Sequence, residues 1–251
     1  MSDRATAAWA PEQLGTILGL WAHPDDETYL MAGIMALATR AGRRVVCVTA
    51  TRGEEGSQDH ERWPPDEMAR IRTAELAESL AVLGVTEHLW LDYRDGTCAD
   101  VPAAEAVQRV IEIIGDVRPD NVLTFGPDGQ TGHPDHIAIS RWATTAFEVA
   151  APPGATLHYA TTTPQWMERY GPQLEPYNVF APGTPEVTPV DSLSINLELD
   201  EEMIDLKLEA LEKQLSQTQG LRNAVDQDFW RGGNSLETFR LAGPKSSTPP
   251  G

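Results

Sequence analysis

The sequence predicts an α/β fold in which helices flank a parallel sheet, and two observations carry that prediction. Short apolar runs of strand length alternate with longer stretches of helical period, and Gly or Pro stands at most junctions. Two of the apolar runs also lead into the same tripeptide, His-Pro-Asp, at His23-Pro24-Asp25 and again at His133-Pro134-Asp135. At the C-terminal end of a strand in an open α/β sheet, such side chains project into the crevice where ligands bind.

The elements follow in order. Thr16 to Leu20 is a buried strand that reaches His23. Leu30, Ile34, Leu37 and Ala41 recur at helical spacing until Gly42, and Arg44 to Thr49 is a β-branched strand. After a polar loop from Thr51, a helix from about Asp66 carries Leu76, Leu80 and Leu83 and stops at Gly84. His88 to Leu91 is the third strand, and Ala106, Val107, Val110, Ile111 and Ile114 mark a helix closed by Gly115 and Pro119. Asn121 to Phe125 is the fourth strand, followed by the second His-Pro-Asp block and a helix with Ile139, Trp142, Ala146 and Val149 on one face. Pro in the first turn of both block helices does no harm, because its missing N–H has no partner there. Leu157 to Ala160 is a further strand, and Ser192 to Leu199 suggests a late one. Ile204, Leu208, Leu211 and Leu215 mark one strong helix. Between 161 and 190 the pattern loosens into a proline-rich loop, a lid or a subunit contact, and a flexible tail is expected from about 243. No linker divides the chain, so residues 1–251 are expected to form a single domain.

The 251 residues suffice for a sizeable core. With 19 Lys and Arg against 38 Asp and Glu, the net charge is −19, which disfavours nucleic acid and anionic membrane as partners. The two cysteines, Cys47 and Cys98, form no disulfide framework, and no leader or long apolar span is evident. The expected location is cytoplasmic, and a homo-oligomer stays open.

The two blocks converge on metal chemistry. An imidazole and three consecutive carboxylates, His23 and Asp25-Asp26-Glu27, would be costly to bury without a cation. His23, Asp26 and His136 make a set of two imidazoles and one carboxylate with room for water, the makeup of a catalytic zinc site, although Fe2+, Co2+ or Mn2+ suits similar ligands. Asp25 is then placed as a base and His133 as a group meeting the substrate from the other side. The plainer reading of Asp25 and, more strongly, of Asp135 is helix capping, and a loop glutamate such as Glu54 is ordinarily solvated.

These residues resemble those of the LmbE/PIG-L superfamily of metal-dependent N-acetylglucosaminyl deacetylases, whose paired signature stands here at Ala22 to Glu27 and His133 to His136. Weaker likenesses are Thr51 to Glu54, Arg72 with Glu75, Arg94-Asp95-Gly96, and Lys207 with Ala210-Leu211 and Ser216-Gln217. The resemblance implies a Rossmann-like sandwich with a mostly parallel central sheet, zinc held by His23, Asp26 and His136, and Asp25 as general base. It further implies His133 as oxyanion stabiliser and amine proton donor tuned by Asp135, with Arg72, Asp95 and Glu54 on substrate hydroxyls. Two positions depart from the family pattern: Thr131 stands where some relatives have Tyr, and Gln214 where many have His. The implied activity is removal of an N-acetyl or other N-acyl group from a glucosamine-containing small molecule. The alternatives are an amidase acting on thiol-sugar conjugates or acylated antibiotics, and a non-catalytic metal-stabilised sugar-binding module.

Overall fold

The computed structural model describes residues 15–57 and 59–243. Five parallel strands form its centre: β1 (Ile17–Trp21), β2 (Val45–Thr51), β3 (Glu87–Tyr93), β4 (Asn121–Phe125) and β5 (Thr156–Ala160). Two antiparallel strands, β6 (Ile195–Glu198) and β7 (Leu236–Leu241), complete the sheet in the order β3-β2-β1-β4-β5-β7-β6. Every residue of β1, β2 and β4 is buried, which is why these strands read as unbroken apolar runs instead of alternating ones. The strand order reverses between β1 and β4, and a crevice opens at such a switch point beyond the strand ends. Both His-Pro-Asp blocks begin there.

The intervening helices are α1 (Asp26–Arg40), α2 (Pro65–Val82), α3 (Ala103–Val117) and α4 (Pro134–Ala150). α3 runs through Gly115, which meets nothing that its missing side chain would touch, and ends where Arg118 takes a left-handed conformation at φ 50°. The expected proline-rich loop is partly helical, because α5 (Pro164–Leu174) starts with Pro164 in its first turn and Thr163 as cap, the hydroxyl accepting the Trp166 N–H at 3.1 Å. The single late helix is two, α6 (Glu201–Glu212) and α7 (Leu215–Ala224), separated at Lys213 and Gln214. α8 (Gln227–Gly232) and β7 were not foreseen. The expected tail, apart from Gly243, lies outside the described residues. Among those residues no helix is long and apolar enough to cross a membrane.

α1 is broken at Met31 (φ −145°, ψ 20°), and the break is closed by a buried ion pair. Lys207 Nζ donates to the Tyr29 carbonyl at 2.7 Å and to Glu237 Oε1 at 2.9 Å, while Glu237 accepts the N–H groups of Gly33 (2.8 Å) and Ile34 (3.0 Å). Neither side chain reaches solvent. α6 and β7 thus lock the helix that begins with Asp26.

Candidate metal and catalytic site

His23 follows β1, Asp26 opens α1 and His136 lies in the first turns of α4, so elements on both sides of the switch point meet. His23 Nδ1 lies 3.1 Å from His136 Nε2, His136 Nε2 lies 3.4 Å from Asp26 Oδ1, and His23 Nδ1 lies 3.7 Å from Asp26 Oδ2. The far side of each ring is engaged. His23 Nε2 faces Asp95 Oδ1 (3.0 Å) and Asp135 Oδ2 (3.3 Å), while His136 Nδ1 is 2.9 Å from the Gly129 carbonyl. Each outer nitrogen therefore holds its ring's proton, and two lone pairs are left pointing at each other. A proton or a cation has to lie between them. His136 also stacks on Phe125, with ring centroids 4.1 Å apart, which fixes its plane.

With no cation, a proton takes the place. Burial opposes charge on His23, but the bonds to Asp135 and Asp95 and the charge of Asp26 outweigh it and raise its pKa to about 10. Burial raises the Asp26 carboxyl to about 8 and depresses His136 well below the ordinary histidine value. A cation fits as well: a tetrahedral ion with ligands at about 2.0–2.1 Å spaces them roughly 3.3 Å apart, close to the separations seen. In two triads one ligand atom from each residue lies within 4.8 Å of the other two: His23 with His133 and His136, and His23 with Asp95 and Asp135. In the second triad the carboxylates already accept protein N–H groups: Asp135 from Gly96 (2.7 Å) and Cys98 (2.9 Å), and Asp95 from Glu55 (3.0 Å). Those two carboxylates form the outer layer that orients His23. In the first triad, His133 Nδ1 accepts the Asp135 N–H at 3.2 Å and caps α4, so only its Nε2 is open.

The remaining expected residues are placed as follows. Asp25 precedes α1 with a positive φ of 115° and makes no side-chain cap, so capping does not account for it. Asp135 does not cap its helix either; its carboxylate bonds His23 and the loop after β3, and it acts on His133 through its charge. Arg72 is 4% exposed. Its guanidinium donates to the carbonyls of Pro24 (2.5 Å) and Gly53 (3.2 Å) and to Asp25 Oδ2 (3.3 Å), which makes it a brace beneath Asp25. Gly53 permits that approach, since a Cβ there would fall 2.3 Å from the guanidinium. Glu54 Oε2 accepts the Asp95 N–H at 3.2 Å, so the loops after β2 and β3 clasp one another.

Glu27 has an orientation the sequence did not suggest. It turns away from the ligand cluster, is fully buried, and accepts bonds from the Asp25 N–H (3.1 Å), Thr28 Oγ1 (2.6 Å) and Gln214 Nε2 (2.9 Å). Gln214, where many relatives carry His, therefore supports the Asp25 backbone through Glu27. Thr131 Oγ1 lies 3.2 Å from His136 Nδ1 and takes a place beside the ring.

Known proteins resemble this chain. The family described as PIG-L, GlcNAc-PI de-N-acetylase, matches residues 18–147, which include both blocks. A 1D-myo-inositol 2-acetamido-2-deoxy-alpha-D-glucopyranoside deacetylase of Kineococcus radiotolerans is 34% identical over 172 residues, taking in 57% of this chain and 48% of that enzyme. The match thus spans about half the length of that relative. The N,N'-diacetylchitobiose deacetylase from Pyrococcus horikoshii superposes with a TM-score of 0.66 at 20% identity, over 93% of this chain and 86% of that one. A teicoplanin deacetylase in its zinc-inhibited form gives 0.66 at 18%, over 93% and 100%. At such identities the likeness speaks for the fold alone.

Proposed function

We propose that this chain, which belongs to the PIG-L family, is a divalent-metal-dependent hydrolase that removes the N-acyl group of a glucosamine-containing small molecule. The observation that carries the reading is the pair of opposed imidazole nitrogens, 3.1 Å apart, with the Asp26 carboxylate beside them and an Asp25 side chain that does not cap its helix. His23, Asp26 and His136 would hold the cation, and zinc is the first choice for that donor set. When bound, a divalent cation supplies a Lewis acid for the acyl carbonyl and lowers the pKa of water toward neutrality.

Asp25 takes the proton of the attacking water. Burial raises its carboxyl above the ordinary aspartate value, only partly opposed by Arg72, and a raised pKa makes a better proton acceptor. Its strained backbone costs about 1–3 kcal/mol, strain of the kind that gathers at functional sites. His133, whose pKa burial lowers, stays neutral with its proton on Nε2, and that N–H donates to the oxyanion. The proton gained by Asp25 then passes to the departing amine, which completes the balance. Asp135 and Asp95 hold His23 in the tautomer that leaves Nδ1 free, and Arg72 holds Asp25.

The test is amine release from a panel of N-acylated glucosamine derivatives by the metal-loaded and the chelator-treated protein. Metal-dependent release supports the reading. Metal-loaded protein that binds the sugars but releases no amine would return the choice to a sugar-binding module.

A further inference from the structure

A cavity of about 590 Å³ begins at Asp26 and His136 and runs away from Asp25 toward the C-terminal third of the chain. Its far walls are Leu174, Val179, Phe180 and Phe229, which belong to or pack on a satellite apolar cluster centred on Tyr170, Leu174 and Phe229. Four of the polar side chains on its walls are engaged with the protein itself. Thr161 Oγ1 donates to the Glu186 carbonyl (3.0 Å), Thr238 Oγ1 to the Thr161 carbonyl (2.7 Å) and Asn234 Nδ2 to the Trp230 carbonyl (2.8 Å), while Glu237 is held by Lys207. Sugar hydroxyls placed there would lose their water without gaining partners. Gln130, whose buried Oε1 has no hydrogen-bond partner, also lines the cavity; it precedes Thr131, the residue beside His136.

We infer that this cavity holds the acyl chain of the substrate, and that the chain is an apolar one several carbons longer than acetyl. The inference rests on the hydrolase reading above. An acetyl methyl takes about the room of one water, ~30 Å³, and would leave the cavity almost empty, whereas pockets of roughly 300–1,000 Å³ suit whole drug-sized groups. Because the cavity reaches the ligand cluster itself, an acyl carbonyl at the cluster directs its own chain down the apolar passage. The sugar is left on the side of the polar loops after β2 and β3.

The experiment compares N-acetyl-, N-butanoyl-, N-hexanoyl- and N-octanoylglucosamine with the metal-loaded protein. The expected result is a rise in kcat/KM of about fourfold per added methylene until the cavity is full. Leu174→Trp and Val179→Trp, made separately, are each expected to lower the octanoyl-to-acetyl ratio of kcat/KM at least tenfold. A kcat/KM that is highest for acetyl and falls with length overturns the acyl-chain assignment and leaves the hydrolase reading standing. If no amine is released from any of the four, the hydrolase reading fails, and calorimetric binding of the same series to Asp25→Asn decides the cavity by itself. Affinity that climbs with chain length upholds the cavity assignment; affinity indifferent to length ends it.

Discussion

The two His-Pro-Asp blocks share a tripeptide but not a helix register, and that offset of two residues assigns their different tasks. In the second block the helix starts at Pro134, and His133 caps it by accepting the Asp135 N–H. Asp135 falls inside the first turn, its carboxylate turned to His23 and the loop after β3. In the first block the helix starts only at Asp26, so Pro24 lies outside it, and the residue corresponding to Asp135 is the strained, uncapping Asp25. In the proposed mechanism one aspartate orients a ligand and the other is left to take a proton. The residue after each aspartate, Asp26 or His136, faces the shared centre. Context in the first turn, and not the motif alone, decides which carboxylate can react.

Exchange of charge for amide at the paired aspartates tests this division most strongly. Asp25→Asn should keep its metal and lose about 10²- to 10⁴-fold in turnover, the usual worth of a general base; near-normal kcat in the metal-loaded variant would remove Asp25 from that role. Only the first block's helix is broken, and Lys207→Met should expose what the break needs. It leaves Glu237 buried beside two N–H groups without its cation, and urea unfolding should report a loss of about 3–5 kcal/mol; a loss under ~1 kcal/mol would show the pair to be incidental.

Asp135→Asn should differ from Asp25→Asn in kind, weakening metal affinity about 10- to 100-fold because His23 loses an orienting partner. Unchanged affinity in a titration with a competing chelator would contradict the division of labour. The smallest effect is on pH. In the metal-free protein His23 holds its proton below about 10 and Asp26 below about 8, and a cation must displace both. Acidification from pH 8 to pH 6 should therefore weaken metal binding roughly 10- to 100-fold per unit, with one to two protons released per ion in calorimetry across buffers of different ionisation enthalpy. Binding that is flat over this range would mean that the ligand nitrogens are not protonated beforehand.

Much of the first 160 residues was legible because each strand is a continuous apolar run and each helix has its own period. The meeting of His23, Asp26 and His136 was legible because its motif occurs twice. What lay behind the ligands was not. Arg72 and Asp95 resemble residues that meet substrate, yet their bonds to Pro24, Gly53, Asp25, His23 and Glu55 depend on how the loops after β2 and β3 fold together, which no local pattern encodes. β7 was hidden by Glu237, a charge that reads as solvent-facing until its partner Lys207, on another element, is known. α5 was hidden by prolines, although Pro164 stands where a helix tolerates it best. The apolar cavity draws on α5, α7, α8 and β7 together, so nothing in any one segment announced it.

The central claim is that His23, Asp26 and His136 grip one divalent ion. Metal content of the purified protein and of His136→Ala, measured by elemental analysis after equal exposure to Zn2+ and gel filtration, tests it most directly. The account predicts one ion per chain in the former and almost none in the folded variant. An equal metal content in both, or no bound metal in the parent protein, would contradict it.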